Sequence, residues 1–314
     1  MNLIKPNFWR SKKNLITIFL LPFSFFTKLI IKLKKKITTV KKFKIPIICV
    51  GNIFVGGTGK TPTSIYIANS LKKLGKRPVI VKKFYKNQKD EQDLIRKYFD
   101  HLLIDRSRIN GILKAERHNY DIAILDDGFQ DYKIYKDLNL ICFNKNQLIG
   151  NGYVFPAGPL RESLDSIKDS QAVLINGVKD HSFEEKLLNI NKNLKIFYSN
   201  YRITNAHKIN NKNLFALAGI GNPENFFNLL KKYKFNIIKK NRYFELITNH
   251  KTYKIMTFNN FVIKNTISII LLYFLIIKKW PKIFTNKIYA KGRAEIVHEE
   301  KKVIIMVDYA HSAD

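Results

Sequence analysis

The chain has 314 residues, enough for one large domain or two modest ones with real cores. Lys and Arg number 56 against 24 Asp and Glu, a formal charge of +32 that points to an anionic partner, although a Lys-, Asn- and Ile-rich composition accounts for part of it. No stretch has the pattern of an RNA-recognition fold, zinc finger or basic zipper, which sets nucleic acid aside, and Cys49 and Cys142 lie in apolar runs without metal-ligand spacing, as buried thiols of a reducing compartment do.

The first predicted element is NLITIFLLPFSFFTKLIIKLKKK, Asn14 to Lys36. No small-residue cleavage site follows it, Pro22 interrupts the apolar run, and Lys28 and Lys32 interleave with its later part. The run is short for a bilayer span. The expectation is a helix lying in the membrane interface, Phe and Leu immersed and lysines reaching anionic headgroups.

Next comes the strand-like IPIICV (Ile45 to Val50), then VGNIFVGGTGKTPT, then a helical TPTSIYIANSLKKLG. Strand, glycine-rich turn and a helix opening with Lys-Thr is the layout of a phosphate-binding loop, whose backbone N–H groups cradle phosphate at the positive end of a helix. Gly56, Gly57, Thr58 and Gly59 would form the cradle, Lys60 would reach the outer phosphates, and the Thr61 hydroxyl would ligate Mg²⁺. The strict pattern fails at Phe54, where the first glycine belongs.

Further strands are expected at 78–81, 101–104, 121–127, 138–143, 171–176 and 213–219, alternating with helices. This order predicts an α/β chain: a P-loop NTPase-like parallel sheet flanked by helices, with a smaller C-terminal α/β lobe. DIAILDDGFQD ends an apolar strand on Asp126 and Asp127, acids that would face the phosphate loop and hold a metal, with Gly128 allowing a sharp turn. GNGYVFPAGPLRES (Gly150 to Ser163) reads as an ordered loop carrying Arg161 and Glu162 toward substrate or nucleotide.

In their order, GNIFVGGTGKTP, ILDDGFQDYKIYKDLNLICF, GNGYVFPAGPLRE and FALAGIGNPENFF resemble the tetraacyldisaccharide 4'-kinases, over about residues 8–244. The resemblance implies transfer of the ATP γ-phosphate to the 4'-hydroxyl of tetraacyldisaccharide 1-phosphate, giving lipid IVA. It also implies a peripheral position at the cytoplasmic face of the bacterial inner membrane, with that anionic surface as a partner and no obligate protein partner. ATP and Mg²⁺ are the implied cofactors. Carried over by position, Lys60 and Thr61 hold phosphates and metal, Asp126 and Asp127 form the metal-side pair, and Glu162 matches the functional acid of its block. Asp90 matches the family's general base, and Arg108, with Arg106 as its rival, matches an arginine near the phosphates.

Several stretches depart from that family. KKFYK replaces a Ser-Arg-Gly-Tyr-Gly block, and FELITNHKTYK, with His250, replaces a segment whose His assists the base. KGRAEIVHEEKKVIIMVDYAHSAD resembles a Mur ligase fragment. The expected organisation is a membrane-associated segment at 1–44, a nucleotide-binding core at 45–176, a second lobe at 177–250 and an atypical tail at 251–314. Alternatives are a decayed, non-catalytic paralogue that still binds ATP or lipid, and a partitioning-type ATPase; Val55 stands where the latter carries its signature lysine.

Overall fold

The computed structural model describes residues 6–85, 88–200, 203, 213–218, 223–241, 244–247, 252–255, 295–300 and 303–308. The side chains of Asp90, of residues 223–225 and, Ala216 apart, of the strands after residue 212 lie outside the described residues, as does His250. The chain divides into two compact units, residues 3–201 and 202–312.

In the first unit a short 3-10 turn (Asn7–Arg10) and α1 (Leu15–Ile37) precede the sheet. There follow β1 (Ile47–Gly51), α2 (Lys60–Lys73), β2 (Pro78–Lys83), α3 (Lys89–Tyr98), β3 (Leu102–Asp105), α4 (Arg108–Arg117), β4 (Ile122–Asp126) and β5 (Leu138–Asn144). A second 3-10 turn (Leu164–Asp169), β6 (Ala172–Asn176), α5 (His181–Ile190) and β7 (Lys195–Ser199) complete it. The seven strands run in the order β3-β2-β4-β1-β5-β6-β7 with every neighbouring pair parallel, the expected P-loop NTPase-like sheet.

Period-two alternation divides the strands between two cores. Cys49, Val81, Leu125, Ile141 and Val173 point to the face covered by α4 (Ile112, Ala115) and α5 (Phe183, Leu187). Val50, Ile80, Ile124, Leu140 and Cys142 point to the face covered by α2 (Ile65, Ala68), α3 (Ile95) and Phe99 just past the end of α3. Both faces are therefore dry, which is why these strands read as continuous apolar runs. β7 was not among the predicted strands. Its sequence KIFYS is half-exposed at the sheet edge and carries no such run.

α1 is inverted relative to an ordinary surface helix. Its protein-facing positions include Thr17, Ser24, Thr27 and Lys35, and Ser24 Oγ donates to Val154 O (2.7 Å) and accepts from Ala157 N (2.9 Å). Leu15, Phe19, Phe23, Phe26, Ile30, Leu33 and Ile37 face outward and are exposed. The helix runs unbroken through Pro22 for 23 residues, long and apolar enough by length and composition to cross a membrane. Asn14 caps its start by accepting from Ile16 N, and Lys34, Lys35 and Lys36 complement the negative end of its dipole.

The second unit contains β8 (Asn213–Ala218), α6 (Pro223–Lys232), β9 (Asn236–Asn241) and the antiparallel pair β10 (Phe244–Ile247) and β11 (Thr252–Ile255). β12 (Glu295–Glu300) and β13 (Val303–Asp308) join β8 and β9 in a sheet of order β12-β13-β8-β9. The stretch that resembles a Mur ligase thus supplies a strand parallel to β8.

Candidate active site

The site lies at the carboxyl ends of β1, β4 and β2, where parallel α/β sheets bind ligands. Gly56 (φ 115°) and Gly59 (φ 90°) take left-handed backbone in the loop between β1 and α2. Asn52 Nδ2 reaches Phe54 O (2.7 Å), Gly56 O (3.1 Å) and Thr58 Oγ1 (3.1 Å), and Asn176 Nδ2 donates to Thr58 O (2.5 Å). A Cβ on Gly57 would meet nothing within 4 Å, so the space over the loop is open. The first turn of α2 offers N–H groups that helix geometry leaves without intrahelical partners.

Phe54 breaks the glycine pattern for a physical reason. Its side chain is buried in the main core, and its backbone pairs with Leu160 of the 150–163 loop. Val55 N donates to Pro159 O (2.8 Å) and Arg161 N to Ile53 O (2.7 Å), so the two loops brace each other. Arg161 and Glu162 are carried to the phosphate loop by this pairing.

Asp126, buried at the end of β4, accepts from Thr61 Oγ1 (3.1 Å), Ser64 Oγ (3.2 Å) and Lys82 Nζ (2.7 Å). Lys82 also bonds Glu91 of α3 at 2.6 Å. Burial works against the Lys82 charge, yet the two carboxylates hold it above the usual lysine range. Burial raises the Glu91 carboxyl above its ordinary value against the pull of Lys82.

Asp127 turns the other way. It has φ 59°, so the left-handed residue of this turn is Asp127, while Gly128 is required by crowding: a Cβ there would lie 2.8 Å from Leu125 Cβ. Arg161 Nη1 donates to both Asp127 oxygens (2.9 and 3.0 Å), and Lys60 Nζ lies 3.4 Å from Oδ1. Burial pushes the Asp127 carboxyl up, but Lys60 and Arg161 outweigh it and hold it well below the usual carboxylate range. Buried Arg108 donates to Asp127 O (2.7 Å) and sits 3.5 Å from Asp131, whereas Arg106 is exposed.

Glu162 is 1% exposed, accepts from Gln130 Nε2 (3.1 Å) and pairs with Lys35 of α1 (2.8 Å). Beside these groups lies an open cleft of about 640 Å³ whose lining carries six cations (Lys34, Lys83, Arg106, Arg108, Lys133, Arg161) against Asp127 and Asp131, a balance that suits anionic ligands. Asp90 lies in the first turn of α3, beside Glu91.

A magnesium ion takes hard oxygens, one or two from protein and the rest from phosphate and water. The Thr61 hydroxyl and Asp126 carboxylate, in contact at the mouth of the loop, are a donor set of that kind. Sequence reasoning missed Asn52, Lys82, Gln130 and Lys35. Of these only Lys82 left a signal, as part of the KKFYK departure.

A family model described as tetraacyldisaccharide-1-P 4'-kinase matches residues 16–271. The chain is 38% identical to the tetraacyldisaccharide 4'-kinase of Pelagibacter ubique, over 84% of this chain and 83% of that one. It is 33% identical to that of Francisella tularensis subsp. novicida, over 74% and 82%. Its fold is similar to the crystal structure of LpxK from Aquifex aeolicus in complex with ATP, with TM-score 0.57 and 25% identity over 72% of this chain and 81% of that one.

Proposed function

The chain belongs to the tetraacyldisaccharide-1-P 4'-kinase family, and from that premise we propose how its own residues perform the transfer. It is an ATP-dependent lipid kinase that phosphorylates the 4'-hydroxyl of its lipid disaccharide phosphate in lipid A biosynthesis. The observation that carries the residue assignment is the junction of Lys60 and Thr61 with Asp127 and Asp126, at 3.4 and 3.1 Å.

Gly56, Gly57, Thr58 and Gly59 hold the ATP phosphates through backbone N–H groups, and Lys60 turns from Asp127 to the transferred phosphate. Thr61 and Asp126 would hold Mg²⁺, with Asp127 at the Lys60 end of the same acidic pair. If bound there, the metal would supply neutralisation of the charge that develops on the phosphates. Arg161 and Arg108 keep Asp127 anionic and fixed. Asp90 accepts the proton of the 4'-hydroxyl, on a helix start tied to Asp126 through Glu91 and Lys82. The cationic cleft takes the phosphorylated headgroup of the acceptor. α1 lies at the cytoplasmic face of the inner membrane, its outward apolar face immersed and its lysines at anionic headgroups.

The test is label transfer from γ-labelled ATP to tetraacyldisaccharide 1-phosphate presented in phospholipid vesicles, with and without Mg²⁺. Labelled lipid formed only with Mg²⁺ supports the reading. Nucleotide binding without labelled lipid would favour a non-catalytic binder.

A further inference from the structure

α1 does more than cover the first unit. Near its carboxyl end, Lys35 Nζ lies 2.8 Å from Glu162 Oε2 and 3.2 Å from Asp169 Oδ2. Asp169 is mostly exposed, so that second pairing is weak. Glu162 is the reverse case: its carboxylate is buried, and a buried charge is tolerated only with a counter-charge and hydrogen bonds. Its partners are Lys35, Gln130 and the Tyr132 hydroxyl, and of these only Lys35 is a cation.

From Glu162 the route to the phosphate loop is short. Gln130 Nε2 donates to Glu162 while Gln130 Oε1 accepts from Arg161 (3.5 Å), and Arg161 clamps the Asp127 carboxylate that faces Lys60. Lys35 sits on the protein-facing side of the helix whose outward side is apolar. A helix that served as an anchor alone would have no use for a half-buried cation at this point.

We propose that Lys35 is a positioning residue for phosphoryl transfer: it holds the Glu162 carboxylate, and through Gln130 and Arg161 the Asp127–Lys60 pair, so that seating α1 and ordering the site are one event. The inference rests on the kinase reading above. Removing Lys35 takes away the cation in contact with the buried carboxylate, leaving only the more distant Lys136, and lets the Arg161 clamp shift. Small displacements of reacting groups carry large rate penalties.

The experiment uses the full chain with tetraacyldisaccharide 1-phosphate in phosphatidylethanolamine–phosphatidylglycerol vesicles. Lys35→Met should lower kcat by about ten- to a hundredfold, with ATP affinity and vesicle partition unchanged, and Lys35→Arg should restore most of the rate. Glu162→Gln combined with Lys35→Met removes both charges and so guards against misfolding. It should be no slower than Glu162→Gln alone, because the two residues act as one unit. Unchanged kcat in Lys35→Met, a rate loss that merely follows lost vesicle binding, or additive effects of the two substitutions would each overturn the proposal. Absence of any lipid phosphorylation by the unaltered chain would instead remove the kinase reading, and the inference with it.

Discussion

The Lys82 ammonium lies 2.7 Å from the Asp126 carboxylate, with only 3% of its side chain exposed, and joins that acid to Glu91 across 2.6 Å. One strand-end cation therefore ties α3 to the acidic end of β4. Replacing Lys82 by Met should destabilise the fold by about 3 kcal/mol, because the Asp126 charge stays buried without its main counter-ion. Urea unfolding measures this, and a loss under about 1 kcal/mol would mean that water already serves Asp126.

Lys60→Ala should reduce transfer at least about 100-fold, since no other lysine stands in the loop. The fold should survive, because Arg161 still pairs both Asp127 oxygens. Steady-state kinetics and a melting curve separate the two effects. Near-normal turnover would show that phosphate is held elsewhere.

Asp127 gives a pH dependence of defined sign. Its folded-state value is depressed below the ordinary 3.8, so its contribution to stability is fully present above about pH 4 and is lost as pH falls toward the folded value. Arg161→Met removes one of the two main opposing cations, raises the folded-state value, and should shrink the contribution and complete its loss nearer the ordinary value. Unfolding free energies measured from pH 6 to about pH 3 should therefore fall less steeply in the variant. Parallel profiles would dissociate the carboxylate from the clamp.

Cys49 and Cys142 are buried free thiols, each pushed up to about 12 by burial. Thiolate, the reactive form, is then scarce at neutral pH. A chromogenic disulfide should titrate both thiols at once in denaturant and only slowly in the native protein. Fast native labelling of either would contradict the two closed cores.

Replacing Phe19, Phe23, Phe26 and Ile30 together by Ser should release the protein from anionic vesicles without unseating α1, whose contacts to the body include Ser24, Ile31 and Lys35. Co-sedimentation at low and high salt measures it. Unchanged partition would move the anchor to another surface.

The parts legible in the sequence were those whose signal is local. The glycines before Lys60-Thr61, the apolar run ending at Asp126 and the order of strands all declare themselves within a few residues. Contacts between distant residues did not. Lys82 meets Asp126 only because β2 and β4 are neighbours, and Lys35 meets Glu162 only because α1 lies across the 150–163 loop. Phe54 looked like a defect in the loop because its partner, Leu160, is supplied by another segment. The Asp90 side chain and His250, which stands in the segment that replaces the family's assisting His, lie outside the described residues.

The most direct test of the account is the identity of the product. Purified full-length protein, ATP, Mg²⁺ and tetraacyldisaccharide 1-phosphate in vesicles should yield a lipid with a second phosphomonoester on C4', assignable by phosphorus NMR and mass spectrometry, at a rate of about 1–100 s⁻¹. ATP consumed with the lipid unchanged, or phosphate added to the existing 1-phosphate, would contradict it.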